Sequence, residues 1–306
     1  MRDAFARTFY DVAKADPRIF MVVADISPAS KMANFKEEFP SRFVDVGVAE
    51  QTLIGLSAGL ALRGYKPFAY TIANFTIYRP FEQVRNDLCY QNLPVTVVGV
   101  GGGLSYSSLG GTHHTIEDVC VMSAIPNMSI LAPCDPLEVD ESVKIAAAYN
   151  GPIYLRLGKA GEPNLTAEAP EPFAFGKLRM IRPGSDICIL SYGPIMKLAF
   201  EVASVLQRDN SLSSAIFSVS TLKPLDRERI ESLLRAFKTI VIIEEHVERG
   251  GLGAQVKQIA WDMGAACKLY TFHLRDEFLH VYGTQDDLRR AHGLSADCIL
   301  RAVAGR

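Results

Sequence analysis

Short runs of apolar, β-favouring residues alternate with helical patterns along the whole chain. In the first half the strand candidates span residues 20–26, 42–48, 67–73, 95–101, 129–133 and 152–157. Most are continuous apolar runs rather than strict alternations, which predicts strands covered on both faces. Helical patterns fall between them at 49–63, 78–91 and 136–149. The last is opened by Asp135, a good N-cap, with proline in the first turn. Residues 1–17 form another amphipathic helical pattern with mixed charges. This alternation predicts a doubly wound, mostly parallel α/β domain over residues 1–160.

From 161 to 175 the pattern lapses. Pro163, Pro170 and Pro172 stand among few bulky apolar residues. Proline removes backbone donors and holds the chain extended, so this stretch is expected to be a linker. The alternation then resumes with strand candidates at 187–192, 215–220, 239–245 and 268–274. Helical patterns lie at 195–207, after Asp226, and at 253–263. A second, smaller α/β domain is expected over 176–306.

Composition narrows this picture without redirecting it. The chain has 306 residues, 48% hydrophobic and 22% charged, with a formal net charge of -2. That length suggests about two domains of ~150 residues, large enough to bury a core without staples. Near-neutral charge gives no electrostatic reason to expect nucleic acid or an anionic membrane as partner. Cys89, Cys120, Cys134, Cys188, Cys267 and Cys298 are scattered, without a C-x-x-C pair. They are expected to be buried free thiols. With no signal-peptide pattern or membrane-length apolar stretch, a cytoplasmic location is expected.

Three segments carry candidate chemistry, each with two readings. In FVDVGVAEQTLIGLSAGLAL (43–62) a strand runs into Glu50 and then a helix rich in small residues. Glu50 is either a favourable charge at a helix N-terminus or a buried carboxyl suited to proton work. In ANFTIYRPFEQ (73–83), Phe75, Tyr78 and Phe81 recur every three residues. They read either as core or as a stacking platform for a flat heteroaromatic ring. GGGLSYSSLGGTHHTIE (101–117) departs from the dinucleotide fingerprint, because Leu104 takes the last glycine position. A loop ending in Gly110, Gly111, Thr112 and His113 is nevertheless placed where ligands bind in such folds. His113 and His114 are adjacent and lack a nearby third ligand, so no metal is expected here.

Together the three segments match one family in order and spacing. The chain resembles the pyrimidine-binding and C-terminal domains of transketolase and its relatives, including deoxyxylulose-phosphate synthase. DVGVAEQ, the aromatic segment from Phe75, and GGTHHTIED followed by MSAIPNMSILAPCDP carry the resemblance. It implies a thiamine diphosphate cofactor whose aminopyrimidine N1′ is hydrogen-bonded by Glu50, promoting deprotonation of the thiazolium C2. It further implies that Phe75, Tyr78 and Phe81 sandwich the pyrimidine. Val48 would lie near the same ring and Asp25 near the thiazolium. His113 becomes the substrate-facing histidine.

The diphosphate-holding half of the family is not found in this sequence, which contains no Gly-Asp-Gly. The chain also begins where the pyrimidine domain begins. The expectation is therefore a split enzyme. An N-terminal subunit would carry the GDG motif and hold Mg²⁺ through the diphosphate, in an α₂β₂ assembly. The substrate side departs from the family. A hydroxyl-reading acid is replaced by Leu109, a histidine by Gly101, a phosphate-contacting serine by Ala29 and a phosphate-binding arginine by Lys159. Fewer charge-assisted bonds predict a sugar substrate other than a standard pentose or hexose phosphate, an unphosphorylated or modified ketose included. Two alternatives stand beside a ketol-transferring transketolase: the β subunit of a 2-oxo acid dehydrogenase, and a non-catalytic regulatory subunit. Glu244, Glu245 and His246 are expected to be interface or surface groups.

Overall fold

The computed structural model describes residues 1–26 and 31–304. Six strands come from the first half: β1 (Ile19–Val23), β2 (Phe43–Asp45), β3 (Lys66–Ile72), β4 (Thr96–Val100), β5 (Ser129–Leu131) and β6 (Ile153–Leu157). The second half supplies β7 (Arg179–Arg182), β8 (Ile187–Ser191), β9 (Ser214–Ser218), β10 (Thr221–Lys223), β11 (Thr239–Val247) and β12 (Lys268–Leu274). The first sheet runs β10-β5-β6-β4-β3-β1-β2. Strands β1 to β6 are parallel throughout, as their two-sided apolar runs predict. The second sheet runs β12-β11-β8-β9-β7 and is parallel except for the edge strand β7.

The halves are less separate than a linker suggests. Strand β10, from the second half, pairs antiparallel with β5 and covers the edge of the first sheet. One apolar cluster joins Val22, Leu53 and Val97 to Leu190, Phe217 and Ile242 across the two sheets. Residues 161–175 form no helix or strand, yet they are tied down. Asp135 caps its helix by accepting from Glu138 N at 2.8 Å. Its other oxygen accepts from Leu165 N, Thr166 N and the Thr166 hydroxyl at 2.8–2.9 Å.

Two departures from the expected pattern fall beside the candidate site. The strand expected over 42–48 stops at Asp45, whose Oδ1 accepts from Gly47 N at 2.9 Å and Asp25 N at 3.3 Å. Gly47 then turns the chain at φ +69°. The helix expected over 78–91 begins earlier, as Ala73–Ile77, and is interrupted at Pro80, which has no N–H to offer. It resumes as Phe81–Gln83 and continues as a π-helical turn, Val84–Tyr90, a distortion frequent near functional sites.

Candidate active site

The carboxyl ends of β2, β1, β3 and β4 lie side by side, and the segments that leave them bring the candidate residues together. Asp25 follows β1, Val48 and Glu50 follow β2, Phe75 and Tyr78 follow β3, and the loop to His113 follows β4. This is where open α/β sheets bind ligands. Glu50 is the first residue of the helix Glu50–Leu62 and is only 6% exposed. Arg79 Nη1 lies 2.9 Å and 3.0 Å from its two carboxylate oxygens. The Arg79 guanidinium sits over the Phe75 ring, 4.3 Å from the centroid. Phe75 in turn meets the His113 imidazole edge-on, with centroids 5.2 Å apart. Carboxylate, flat cation, aromatic face and imidazole thus form one continuous stack.

The three aromatics expected to act as one platform have separate surroundings. Phe75 is half-buried in that stack, and Phe81 packs against the shared apolar cluster. The Tyr78 hydroxyl donates to Glu117 Oε2 at 2.7 Å. Burial, with the Asp118 and Glu117 carboxylates beside it, raises the Tyr78 phenol far above its ordinary value. Val48 is 68% exposed, and Asp25 is also exposed.

On the substrate side, the His113 Nδ1 is 3.0 Å from the Thr112 hydroxyl, and Asn74 donates to the Thr112 carbonyl. Burial and then the nearby Arg79 charge lower the His113 pKa, favouring the neutral ring. Gly101 has φ +79°, and a Cβ there would lie 2.1 Å from the Tyr106 ring. Tyr106, not a side chain at 101, fills that volume. Leu109 is exposed on a short 3-10 turn. The Lys159 ammonium lies 5.1 Å from the Tyr106 ring centre, and Lys159 lines a cavity of about 590 Å³ between the halves. Ala29 lies outside the described residues.

Known protein families match both halves of the chain. Residues 1–162 match the family model for the transketolase pyrimidine binding domain, and residues 176–299 match that for the transketolase C-terminal domain. The chain belongs to the transketolase family. It is 32% identical over 302 residues to a Phocaeicola vulgatus protein named as one subunit of an apulose-4-phosphate transketolase, covering 99% of this chain and 96% of that one. It is 31% identical to a Methanocaldococcus jannaschii protein named putative transketolase C-terminal section, covering 99% and 95%. A solved structure described as a split gene transketolase, inactive beta4 tetramer, superposes with a TM-score of 0.88 at 31% identity, covering 99% of this chain and 97% of that one.

Several residues around the candidate site of this transketolase-family chain are invisible to sequence reasoning. Arg79 reads as an ordinary helix-surface cation, since nothing in its spacing points back to Glu50. Behind the His113 loop, Arg156 Nε donates to Asp118 Oδ2 at 2.6 Å, and the Tyr154 hydroxyl donates to the same oxygen at 2.8 Å. Arg156 also reaches the carbonyls of Thr115 and Glu245, so this buried pair links the loop to the second sheet. Glu244, Glu245 and His246 belong to that seam. They are buried rather than on the surface, because each has internal partners. Glu244 accepts from Leu252 N and Gly253 N, Glu245 from Gln285 and Arg289, and His246 Nε2 from Cys120 N.

Proposed function

We propose that this chain is the pyrimidine-side subunit of a two-subunit, thiamine-diphosphate-dependent transketolase that transfers a two-carbon ketol unit between sugars. The observation that carries this reading is the slot between the Phe75 face and the buried Glu50 carboxylate. A flat nitrogen-donor group already fits there, in the form of the Arg79 guanidinium. An aminopyrimidine has the same requirements: an aromatic surface to stack on and a carboxylate to receive an N–H. Glu50 would hold the proton shared with the pyrimidine N1′. Phe75 would orient the ring, Val48 and Tyr78 would flank it, Phe81 would support the wall, and Asp25 would stand near the thiazolium. Bound thiamine diphosphate would supply the thiazolium that carries the ketol unit. His113, biased toward its neutral form, would accept or donate protons on substrate oxygens.

The diphosphate and its Mg²⁺ would be held by an N-terminal subunit carrying the GDG motif, in an α₂β₂ assembly in the cytoplasm. Two observations support an assembled state. The split-gene relative is described as inactive in its beta4 form. Beyond its polar first turn, the helix Glu50–Leu62 exposes Gly55, Leu56, Gly59 and Leu62, an apolar face that wants cover. Among the described residues no helix is long and apolar enough to cross a membrane.

For the substrate, the relatives' name points to a phosphorylated sugar other than the standard ones. Gly101 and Leu109 offer no side chain to read a hydroxyl, whereas Lys159 offers one cation for a phosphate. Product analysis with the assembled pair tests this, comparing apulose 4-phosphate, xylulose 5-phosphate and pyruvate as donors. Ketol transfer from apulose 4-phosphate is expected. A full rate with xylulose 5-phosphate would overturn the substrate assignment, and turnover of pyruvate alone would favour the 2-oxo acid enzymes.

A further inference from the structure

The Glu50 carboxylate and the Arg79 guanidinium are unequally free to move. Glu50 is fixed at the start of a long helix and is 6% exposed. Arg79 stands on the short turn between Ile77 and Pro80, and its side chain is 48% exposed. Among the described contacts, the guanidinium donates to Glu50 and lies over Phe75, with no other acceptor. A guanidinium is planar, delocalised and weakly hydrated. It stacks on aromatic faces and presents N–H groups in a fixed fork to carboxylates. Those are the features by which an aminopyrimidine would be recognised in the same slot.

We propose that Arg79 is an internal occupant of the aminopyrimidine subsite, which fills the slot in the cofactor-free chain and is displaced outward when the cofactor binds. The proposal rests on the reading of Glu50 as the pyrimidine-binding carboxylate. A buried carboxylate stripped of its counter-charge is costly, so one of the two donors must always be in place. The Glu50 carboxylate is 6% exposed at the start of its helix, whereas the half-exposed Arg79 side chain can leave by rotation alone. The cofactor therefore competes with a tethered side chain, and its apparent affinity falls by the fraction of molecules in which the slot is open. Displacement also carries a message to the substrate side. Arg79 is the second cause, after burial, of the lowered His113 pKa. Moving the guanidinium away removes that influence from the ring that meets Phe75 edge-on.

Thiamine itself is the probe, because it carries the aminopyrimidine without the diphosphate that a partner subunit would hold. Calorimetric titrations compare the wild-type chain with Arg79→Ala, Arg79→Lys and Glu50→Gln. The expected result is binding about ten-fold tighter to Arg79→Ala than to wild type, about 1.4 kcal/mol. Arg79→Lys should fall between them, since an ammonium pairs with Glu50 but cannot stack as a plane. It also stands in if the alanine variant folds poorly. In ¹⁵N spectra of the wild type, the Arg79 side-chain signal should move to the position of free arginine as thiamine is added. Equal or weaker thiamine binding in the Arg79 variants, including no binding to any of them, overturns the proposal. If Glu50→Gln weakens binding while the Arg79 variants match wild type, only the displacement falls. If Glu50→Gln binds as well as wild type, the reading of Glu50 falls with it.

Discussion

Replacing Gly101 by alanine probes how the substrate-side loop is built, and its cost can be worked out from two independent sources. Gly101 sits at φ +79°, a left-handed conformation that costs an L-residue about 1–2 kcal/mol. A Cβ there would lie 2.1 Å and 2.4 Å from Cε2 and Cδ2 of Tyr106, far inside carbon contact distance. Tyr106 cannot step aside freely, because it is buried between the His113 ring and the Lys159 ammonium. Forcing an extra methyl against a packed ring adds about 1–3 kcal/mol. The total expected loss is about 2–5 kcal/mol. Only the second contribution depends on Tyr106, so Gly101→Ala and Tyr106→Ala should be coupled by about 1–3 kcal/mol when combined. Urea unfolding at equilibrium reads this directly, provided that the slope against denaturant stays constant. Additive energies, or a loss below about 1 kcal/mol for Gly101→Ala, would refute the claim that Tyr106 fills the volume beside residue 101.

Asp118→Ala should cost about 3–5 kcal/mol by stranding the buried Arg156 charge, and Asp118→Leu combined with Arg156→Met should recover most of it; thermal denaturation of the three proteins checks both halves. Burial lowers the His114 and His292 imidazoles below the ordinary 6.5. The folded chain therefore binds fewer protons there than the unfolded chain does, so their contribution is complete above pH 6.5 and is lost as pH falls below it. Midpoints measured from pH 7.5 downward should show His292→Asn flattening that decline, and an unchanged slope would count against it. Lys159→Met should raise KM for a phosphorylated donor about ten-fold or more while leaving kcat nearly unchanged, as steady-state kinetics of the assembled pair would show.

Much of the fold was legible because parallel strands buried on both faces leave continuous apolar runs, as 95–101 and 152–157 do around β4 and β6. Strand β10 was not, because Thr221–Lys223 is three residues long and is held in place by pairing with β5, a partner ninety residues earlier. The helix breaks around Pro80 were foreshadowed by the proline itself, but the π-helical turn after it has no local signature. At the candidate site, the order of Glu50, Phe75 and His113 along three strand ends could be read from motif spacing. The Arg79–Glu50 pair could not, because it joins residues 29 apart through a turn whose direction only the folded backbone sets. Glu244 and Glu245 read as interface or surface groups, and their burial was hidden for a related reason: charge alone does not announce the helix N-terminus or the Arg289 that satisfies them.

The central claim is that the buried Glu50 carboxylate serves the cofactor's pyrimidine, and Glu50→Gln in the chain assembled with the proposed GDG-bearing subunit tests it most directly. Glutamine keeps the size and a hydrogen-bonding oxygen but cannot exchange the proton. Ketol transfer should fall by about 10²–10⁴-fold, and exchange of the thiazolium C2 hydrogen for deuterium should slow with it, while the assembly stays intact. Wild-type exchange and transfer rates in the Glu50→Gln pair would contradict the account.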